Sequence, residues 1–443
     1  MPTTRDENVG RPPWAAAGPP AGFVHLPEFG RPGQGARRSP GGPPHIPNRA
    51  VGPRCGAVLA IGCLAAASSL AQGLFPPERL DRIREGLRDV YTLEYDRAEK
   101  NFQRMIDEAP DDAAGYAYLA YTYCLRELSV KQELSIDRFA ASDFFSESPK
   151  YLVRVDPAVE TRFRKMSGLA IEKARARLAK NPQDRTAMFL LGLAYQNLAS
   201  FESSLKRNWW AAFRFGSRTY RYHRDLLRAD PNFHDARLAT GVYQYVAGSL
   251  RWNVKWVAMV MGYRGSKERG KQELRMAVEK ASLVSDDARV ILTLIHTREH
   301  NYQQAFAYLT ELLRKYPQNY LVHLDMGGMA LLMKRPEAAV EIYRDILRRH
   351  DKLERAYVYN RLGVALRQKG DLQAAADWFG KALSETEASA RSRTIARLEL
   401  GKTLDLLGRR PEAHQRYREV AEAEDVAGSR EEAQELLKRP YRR

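Results

Sequence analysis

From residue 86 onward the apolar positions recur in one register. A small residue is followed twelve positions later by Ala, four later by an aromatic or Leu, three later by an apolar or small residue, and often five later by Pro. Gly86, Ala98, Phe102, Met105 and Pro110 follow this pattern, as do Thr293, Ala305, Leu309, Leu312 and Pro317. Gly327, Ala339, Tyr343 and Ile346 repeat it. Gly363, Ala375, Phe379 and Ala382 come next, and then Gly401, Ala413, Tyr417 and Val420. The steps from Ala305 to Ala339, Ala375 and Ala413 are 34, 36 and 38 residues. Spacings of four and three place these positions on one helix face. The pattern predicts pairs of antiparallel helices in which a small residue admits a close approach and an aromatic ring fills the hole beside it. Gly370 and Gly408 fall where the first helix of a pair turns into the second, as a helix C-terminus prefers. A single pair cannot bury its own apolar face, so the pairs are expected to stack into a solenoid.

The middle of the chain is less regular. Ala120 and Tyr123 begin a second unit, which residues 128–155 interrupt. That insertion carries Phe139, Phe144, Phe145 and Tyr151 and is expected to pack as a lid or docking loop. Asp156-Pro157 reads as an N-cap followed by Pro at the first helical position, opening a long helix to about Lys180. Gly192 and Tyr195 open another pair, whose second helix ends near Asp230-Pro231, and Gly241 opens the next.

These segments resemble tetratricopeptide repeats, whose period is 34 residues. The resemblance is good over residues 286–424 and again over the first unit, 79–112. It implies an all-α fold, a right-handed superhelix of about seven helix pairs. It also implies a concave groove, lined by the first helix of each pair, that takes peptides or partner helices. A second likeness concerns residues 243–274. There Gly262, Tyr263, Gly265, Arg269 and Gly270 resemble a segment of the group related to tetratricopeptide repeat protein 39, whose family name carries an outer-membrane label. That group implies a scaffold rather than a reaction.

Residues 1–53 are rich in Pro, Gly and Arg and cannot form a packed core. Arg54, a small-apolar run from Cys55 to Ala67, and Ser69 and Ala71 before Gln72 together describe a secretory signal peptide over residues 54–71. A lipoprotein-type ending at Ala60-Ile61-Gly62-Cys63 fits less well, because Ala stands three before the Cys. A signal fifty residues into the chain suggests translation starting near Val51. The competing arrangement is a genuine tail with a short buried helix. The expected organisation is a Pro/Gly/Arg-rich extension (1–53), a signal (54–71), irregular pairs with insertions (72–285), a regular array (286–424) and a basic end (425–443). Localisation is then exported, periplasmic or outer-membrane-associated, in a bacterium, and cytoplasmic if the signal is not one.

Composition alters this picture little. The chain has 443 residues, 28% of them charged, with a net charge of +17. Between Gln196 and Lys280 stand 16 basic and 7 acidic residues, a field suited to anionic partners. Arg251, Trp252, Lys255 and Trp256 are candidates for contact with an anionic membrane surface. Lys206-Arg207-Asn208-Trp209-Trp210, followed by Phe213, Arg214 and Phe215, has the same character. The competing assignment makes these aromatics the core of an enlarged repeat. Nucleic acid is set aside because an export signal removes the chain from it. With Cys55 and Cys63 inside the signal, Cys124 is left alone in the mature chain and no internal disulfide is expected.

One catalytic motif needs weighing. His296-Thr297-Arg298-Glu299-His300 spells the H-x-x-E-H of inverted zinc peptidases, with both imidazoles on one helix face. The repeat register accounts for both histidines otherwise: His296 falls where a repeat carries Tyr, and His300 at the turn held later by Gly370 and Gly408. No phosphate-binding loop or G-x-S-x-G elbow occurs. Cys124 is expected in the core. His223 and His234 flank a helix end and are expected at the surface or as caps. Asp111-Asp112 and Asp286-Asp287 are expected as charge at helix N-termini. No catalytic set, cofactor or metal site is expected.

The sequence therefore points to a non-enzymatic scaffold in the bacterial envelope. A peripheral membrane module and a zinc hydrolase are the alternatives. By the family resemblance, Gln196, Asn197, Asn360, Arg367, Gln368 and Lys402 are the groove-facing candidates for a protein or peptide partner.

Overall fold

The computed structural model describes residues 75–134, 136, 154–250, 265–351, 353–426 and 428–442. Among them are seventeen α-helices, one short 3-10 turn and no strand. The first four pairs are α1 (Pro77–Tyr91) with α2 (Tyr95–Glu108), α3 (Ala113–Val130) with α4 (Pro157–Lys180), α5 (Arg185–Ser204) with α6 (Trp209–Ala229), and α7 (Arg237–Ser249) with α8 (Lys267–Lys280). Four more follow: α9 (Ser285–Arg298) with α10 (Tyr302–Lys315), α11 (Tyr320–Leu332) with α12 (Pro336–Arg349), α13 (Arg355–Lys369) with α14 (Leu372–Ser384), and α15 (Ala390–Leu406) with α16 (Arg410–Glu422). Helix α17 (Ser429–Lys438) covers the last pair. Among the described residues eight pairs therefore stand where the resemblance implies about seven. Each helix packs on its neighbours in sequence, and the first helix α13 also touches the first helices on either side of it, α11 and α15. The fold is an all-α solenoid, the superhelix of the tetratricopeptide type.

Short polar residues start many of these helices by accepting a hydrogen bond from the first turn. Asp112, Asp156, Asp184, Asn208, Ser266, Asn319 and Ser389 all do so. Inside each pair, the small residue of the first helix receives a side chain of the second. A Cβ on Gly363 would stand 2.6 Å from the Phe379 ring, and one on Gly401 would stand 2.5 Å from Tyr417. Gly86 faces Phe102 and Gly327 faces Tyr343 in the same way. These rings are fully buried. Such a side chain contributes roughly 1.5–3 kcal/mol by leaving water.

Seven of the connections between paired helices begin with one backbone state among the described residues. Leu93, Gln132, Arg207, His300, Lys334, Gly370 and Gly408 all have positive φ, and each follows the first helix of its pair. In five of them the turn residue lies seven positions after the small residue, as Gly370 follows Gly363 and His300 follows Thr293. In α3 and α5 it lies further on, because these helices overrun. Their tips carry Gln132 and Arg207.

The N-terminal pairs also reach far along the chain. The Tyr91 hydroxyl donates to Asp287 Oδ1 at 2.7 Å, its ring stacks on Tyr316 at 5.0 Å between centroids, and Asn319 Nδ2 donates to the Tyr91 carbonyl at 2.7 Å. The Tyr121 hydroxyl donates to the same Asp287 oxygen at 2.7 Å. Pairs one and two are thereby joined to α9 and to the start of α11.

Candidate functional site

The residues six before, three before, one after and four or five after the small residue form one stripe along a first helix. On α13 this stripe is Tyr357, Asn360, Val364, Arg367 and Gln368. On α11 it includes Leu321 and Leu324, and on α15 it includes Leu398, Lys402 and Asp405. Asn360, Arg367, Gln368 and Lys402 thus fall on the same strip of adjacent first helices, whereas Gln196 and Asn197 belong to α5.

Most of these side chains are not open to solvent. Asn360 is buried, and its Nδ2 donates to the Ser392 carbonyl at 2.8 Å, tying α13 to α15. Asn197 is buried and does the same between α5 and α3, donating to the Ala117 carbonyl at 2.8 Å. Arg367 and Lys402 are buried and converge on Glu399. Arg367 pairs with its carboxylate and donates to its carbonyl at 3.2 Å, and Lys402 Nζ lies 2.7 Å from Glu399 and from Glu432. Burial opposes ionisation of Glu399, but Lys402 and Arg367 outweigh it and hold the carboxyl below its ordinary range. The Tyr441 ring lies over both cations, 5.5 Å from Arg367 and 5.8 Å from Lys402. Gln368 is exposed and Gln196 half-buried. The physical reason is the close approach that the small residues permit: a polar side chain on the stripe reaches the next first helix before it reaches solvent.

Further along the same strip, the groove holds a piece of the chain itself. The tip of α3 and the residues beyond it lie against α11, α13 and α15. Gln132 Nε2 donates to Glu354 Oε2 at 2.6 Å and approaches Ser392 Oγ at 3.4 Å. Glu133 is 2% exposed and sits between Arg207 and Arg391, 3.5 Å from each. Leu134 borders a cavity of about 20 Å³ with Leu321, Leu324, Asp325 and Tyr357. The Ile136 amide donates to Asp325 Oδ1 at 3.1 Å, and its buried side chain joins the cluster of Val322 and Met329. Arg391, Asp325 and Tyr357 are the site residues that sequence reasoning missed. Tyr357 shares its register position with Leu321, which is the signal that marks it.

Other candidates resolve differently. Arg251, Trp252, Lys255 and Trp256 lie outside the described residues, as do Gly262, Tyr263 and the aromatics Phe139, Phe144, Phe145 and Tyr151. Residues 1–74, with the signal segment, lie outside them too. Within H-x-x-E-H, His296 is buried beside Tyr308, and His300 takes the positive-φ turn with its Nδ1 2.7 Å from the Tyr302 hydroxyl. Glu299 is paired with Lys271 at 2.9 Å. Among the described residues, no group of three His, Cys, Asp or Glu side chains is placed to hold a metal ion. Cys124 is buried, and burial pushes its thiol up to about 12.

One expectation is overturned. His223 is not at the surface: it is 1% exposed, stacks on Phe189 and faces Gly192, in the slot that Phe102 or Tyr343 fills elsewhere. Asp287 stands in the first turn of α9, as its position predicts. It is buried under the hydroxyls of Tyr91 and Tyr121, and burial pushes its carboxyl up to about 6.

Comparison with known proteins agrees with this geometry. Two tetratricopeptide repeat models match, one over residues 296–360 and one over 333–392. Residues 296–392 therefore carry tetratricopeptide repeats, and such repeats support a protein-interaction scaffold. No curated protein matches the sequence. Among solved structures it is similar to yeast Tom70, with 11% identity, a TM-score of 0.38 and coverage of 81% of this chain and 87% of that one. It is also similar to the Cut9-Hcn1 hetero-tetramer of the APC/C, at 14% identity and a TM-score of 0.42, covering 78% of this chain and 52% of that one. Against Pseudomonas aeruginosa pilF the values are 18%, 0.36, 58% and 99%. Likenesses of this strength carry no statement about what the chain binds.

Proposed function

We propose that the chain is a non-enzymatic scaffold that takes a protein or peptide partner along the first helices α11, α13 and α15, and that it works in the bacterial cell envelope. The observation that carries the binding reading is the strip itself: three adjacent first helices present Tyr357, Asp325 and Arg391 around a segment already seated there. The envelope reading rests on the signal-like residues 54–71. The test is capture of a partner by tagged protein expressed in its own host, together with N-terminal sequencing. Loss of the captured partner in Arg391→Glu/Tyr357→Ala, and its retention in Trp210→Ser, supports the strip. A mature chain beginning near Gln72 supports export, and an intact N-terminus refutes it.

A second reading, contact with an anionic membrane surface, draws on α6. Trp210 is 68% exposed and Phe213 36%, their rings 6.4 Å apart, with exposed Arg214, Arg218 and Arg221 following on that helix. Aromatic and basic groups side by side suit a headgroup region. Cosedimentation with phosphatidylglycerol vesicles, lost in Trp210→Ser/Phe213→Ser, tests it.

A further inference from the structure

We infer that Gln132, Glu133, Leu134 and Ile136 are a built-in ligand of the strip on α11, α13 and α15. The same site then accepts an external protein segment of matching chemistry, one carboxylate between an amide and aliphatic side chains, only by displacing them. This rests on the strip being the partner-binding face.

The seated residues behave as a ligand does. They follow the overrun of α3, and each satisfies a different group of the strip. Gln132 supplies an amide to Glu354 and Ser392. Glu133 brings a carboxylate to Arg391, with Arg207 from the tip of α5 on its other side. Leu134 and Ile136 supply aliphatic groups to Leu321, Leu324 and Val322, and the Ile136 amide is held by Asp325. The three hydrogen bonds span 189 to 260 residues of sequence, so they are tertiary in the sense that a partner's would be. The cavity beside Leu134 shows that the fit is incomplete. A segment with a larger apolar side chain there, such as Phe, reaches into the space that Leu134 leaves. Arg391 is only 26% exposed at its side chain while Glu133 is seated, so removing Glu133 uncovers the cation that the strip offers to it. A tethered segment presents itself at an effective concentration of the order of millimolar, so an untethered competitor meets a real barrier.

The probe is a fluorescein-labelled peptide with the sequence of residues 130–136, followed by anisotropy. Wild-type protein is expected to bind it weakly. Glu133→Lys/Ile136→Asp, which unseats the internal copy, is expected to bind it at least about tenfold more tightly. Adding Arg391→Glu to that variant returns binding to the wild-type level. A second variant works without unseating: Gln132→Cys/Glu354→Cys, with Cys55→Ser and Cys63→Ser, ties the segment down. Its oxidised form is expected not to bind the peptide, and reduction to restore binding. If the unseated variant does not melt cooperatively, the oxidised and reduced forms decide alone. Equal binding by wild-type and unseated protein, or by oxidised and reduced protein, overturns the inference. If partner capture depends on Arg391 and Tyr357 while the peptide results are flat, the partner-binding face stands and the built-in ligand falls. If capture also fails to depend on them, both fall.

Discussion

Gly192 on α5 and His223 on α6 are partners: the space that a Cβ on Gly192 would need is filled by the His223 imidazole. The same helix-to-helix slot holds Tyr343 against Gly327 and Phe379 against Gly363. His223 Nε2 also lies 3.2 Å from the Phe189 carbonyl, so the ring is anchored as well as packed. Burial lowers its pKa from 6.5 to about 4, against the smaller opposite effect of that carbonyl. A lowered histidine pKa means that the unfolded chain binds the proton more tightly. Stability from this group is therefore complete above pH 6.5 and falls as pH drops towards 4, by up to about 3 kcal/mol. Melting temperatures measured between about pH 7.5 and 4.5 should show this loss, and His223→Phe should reduce the slope.

Asp287 has the opposite sign. Its folded pKa, raised to about 6, exceeds the ordinary value, so its contribution is present at low pH and is lost as pH rises through 6. Asp287→Asn keeps an acceptor for Tyr91 and Tyr121 and removes the buried charge. It should stabilise the protein by about 1–3 kcal/mol at about pH 7.5, and the advantage should shrink towards about pH 5. Denaturant melts of both proteins at the two pH values check this.

Gly327 admits Tyr343, so enlarging one partner should be offset by reducing the other. Gly327→Ala is expected to cost roughly 1–3 kcal/mol by overpacking and Tyr343→Ala roughly 3–5 by leaving a cavity. The double variant should cost less than the sum, because neighbours in contact are not additive. A double-mutant cycle by chemical denaturation gives the coupling directly.

The turn residue Lys334 has φ of +60°, where a side chain is strained. Lys334→Gly should raise stability by about 1 kcal/mol, and Gly370→Ala, at φ +102°, should lower it by about as much. Thermal melts of the two single variants test both signs.

Glu399 neutralises two cations at once. Glu399→Gln leaves Arg367 and Lys402 facing one another beneath Tyr441, with Glu432 as the remaining counter-charge. Breaking a buried pair costs about 3–5 kcal/mol, and this loss should appear in urea melts and persist in high salt.

Much of the fold was readable because the slot between paired helices leaves a mark at constant spacing. Gly327 and Tyr343 are 16 residues apart, as are Gly363 and Phe379 and Gly401 and Tyr417. Gly192 and His223 make the same contact across 31 residues, because α5 and α6 both run longer. The spacing was lost while the contact was kept, so His223 read as surface. The strip was legible in part. Asn360, Arg367, Gln368 and Lys402 follow from register, but whether a polar side chain faces solvent or a neighbouring backbone depends on the helix separation. The seating of Glu133 against Arg391 has no periodic trace at all, since it joins segments that only closure of the superhelix brings together.

That closure has a kinetic consequence. In most repeat arrays each unit touches only its neighbours, and folding spreads from any starting point. Here the Tyr91–Asp287 bond closes a span of 196 residues. Chain entropy must be surrendered before such a contact gives anything back. The array therefore assembles locally first and clasps last, and Tyr91 and Asp287 are where its slowest folding step should be sought.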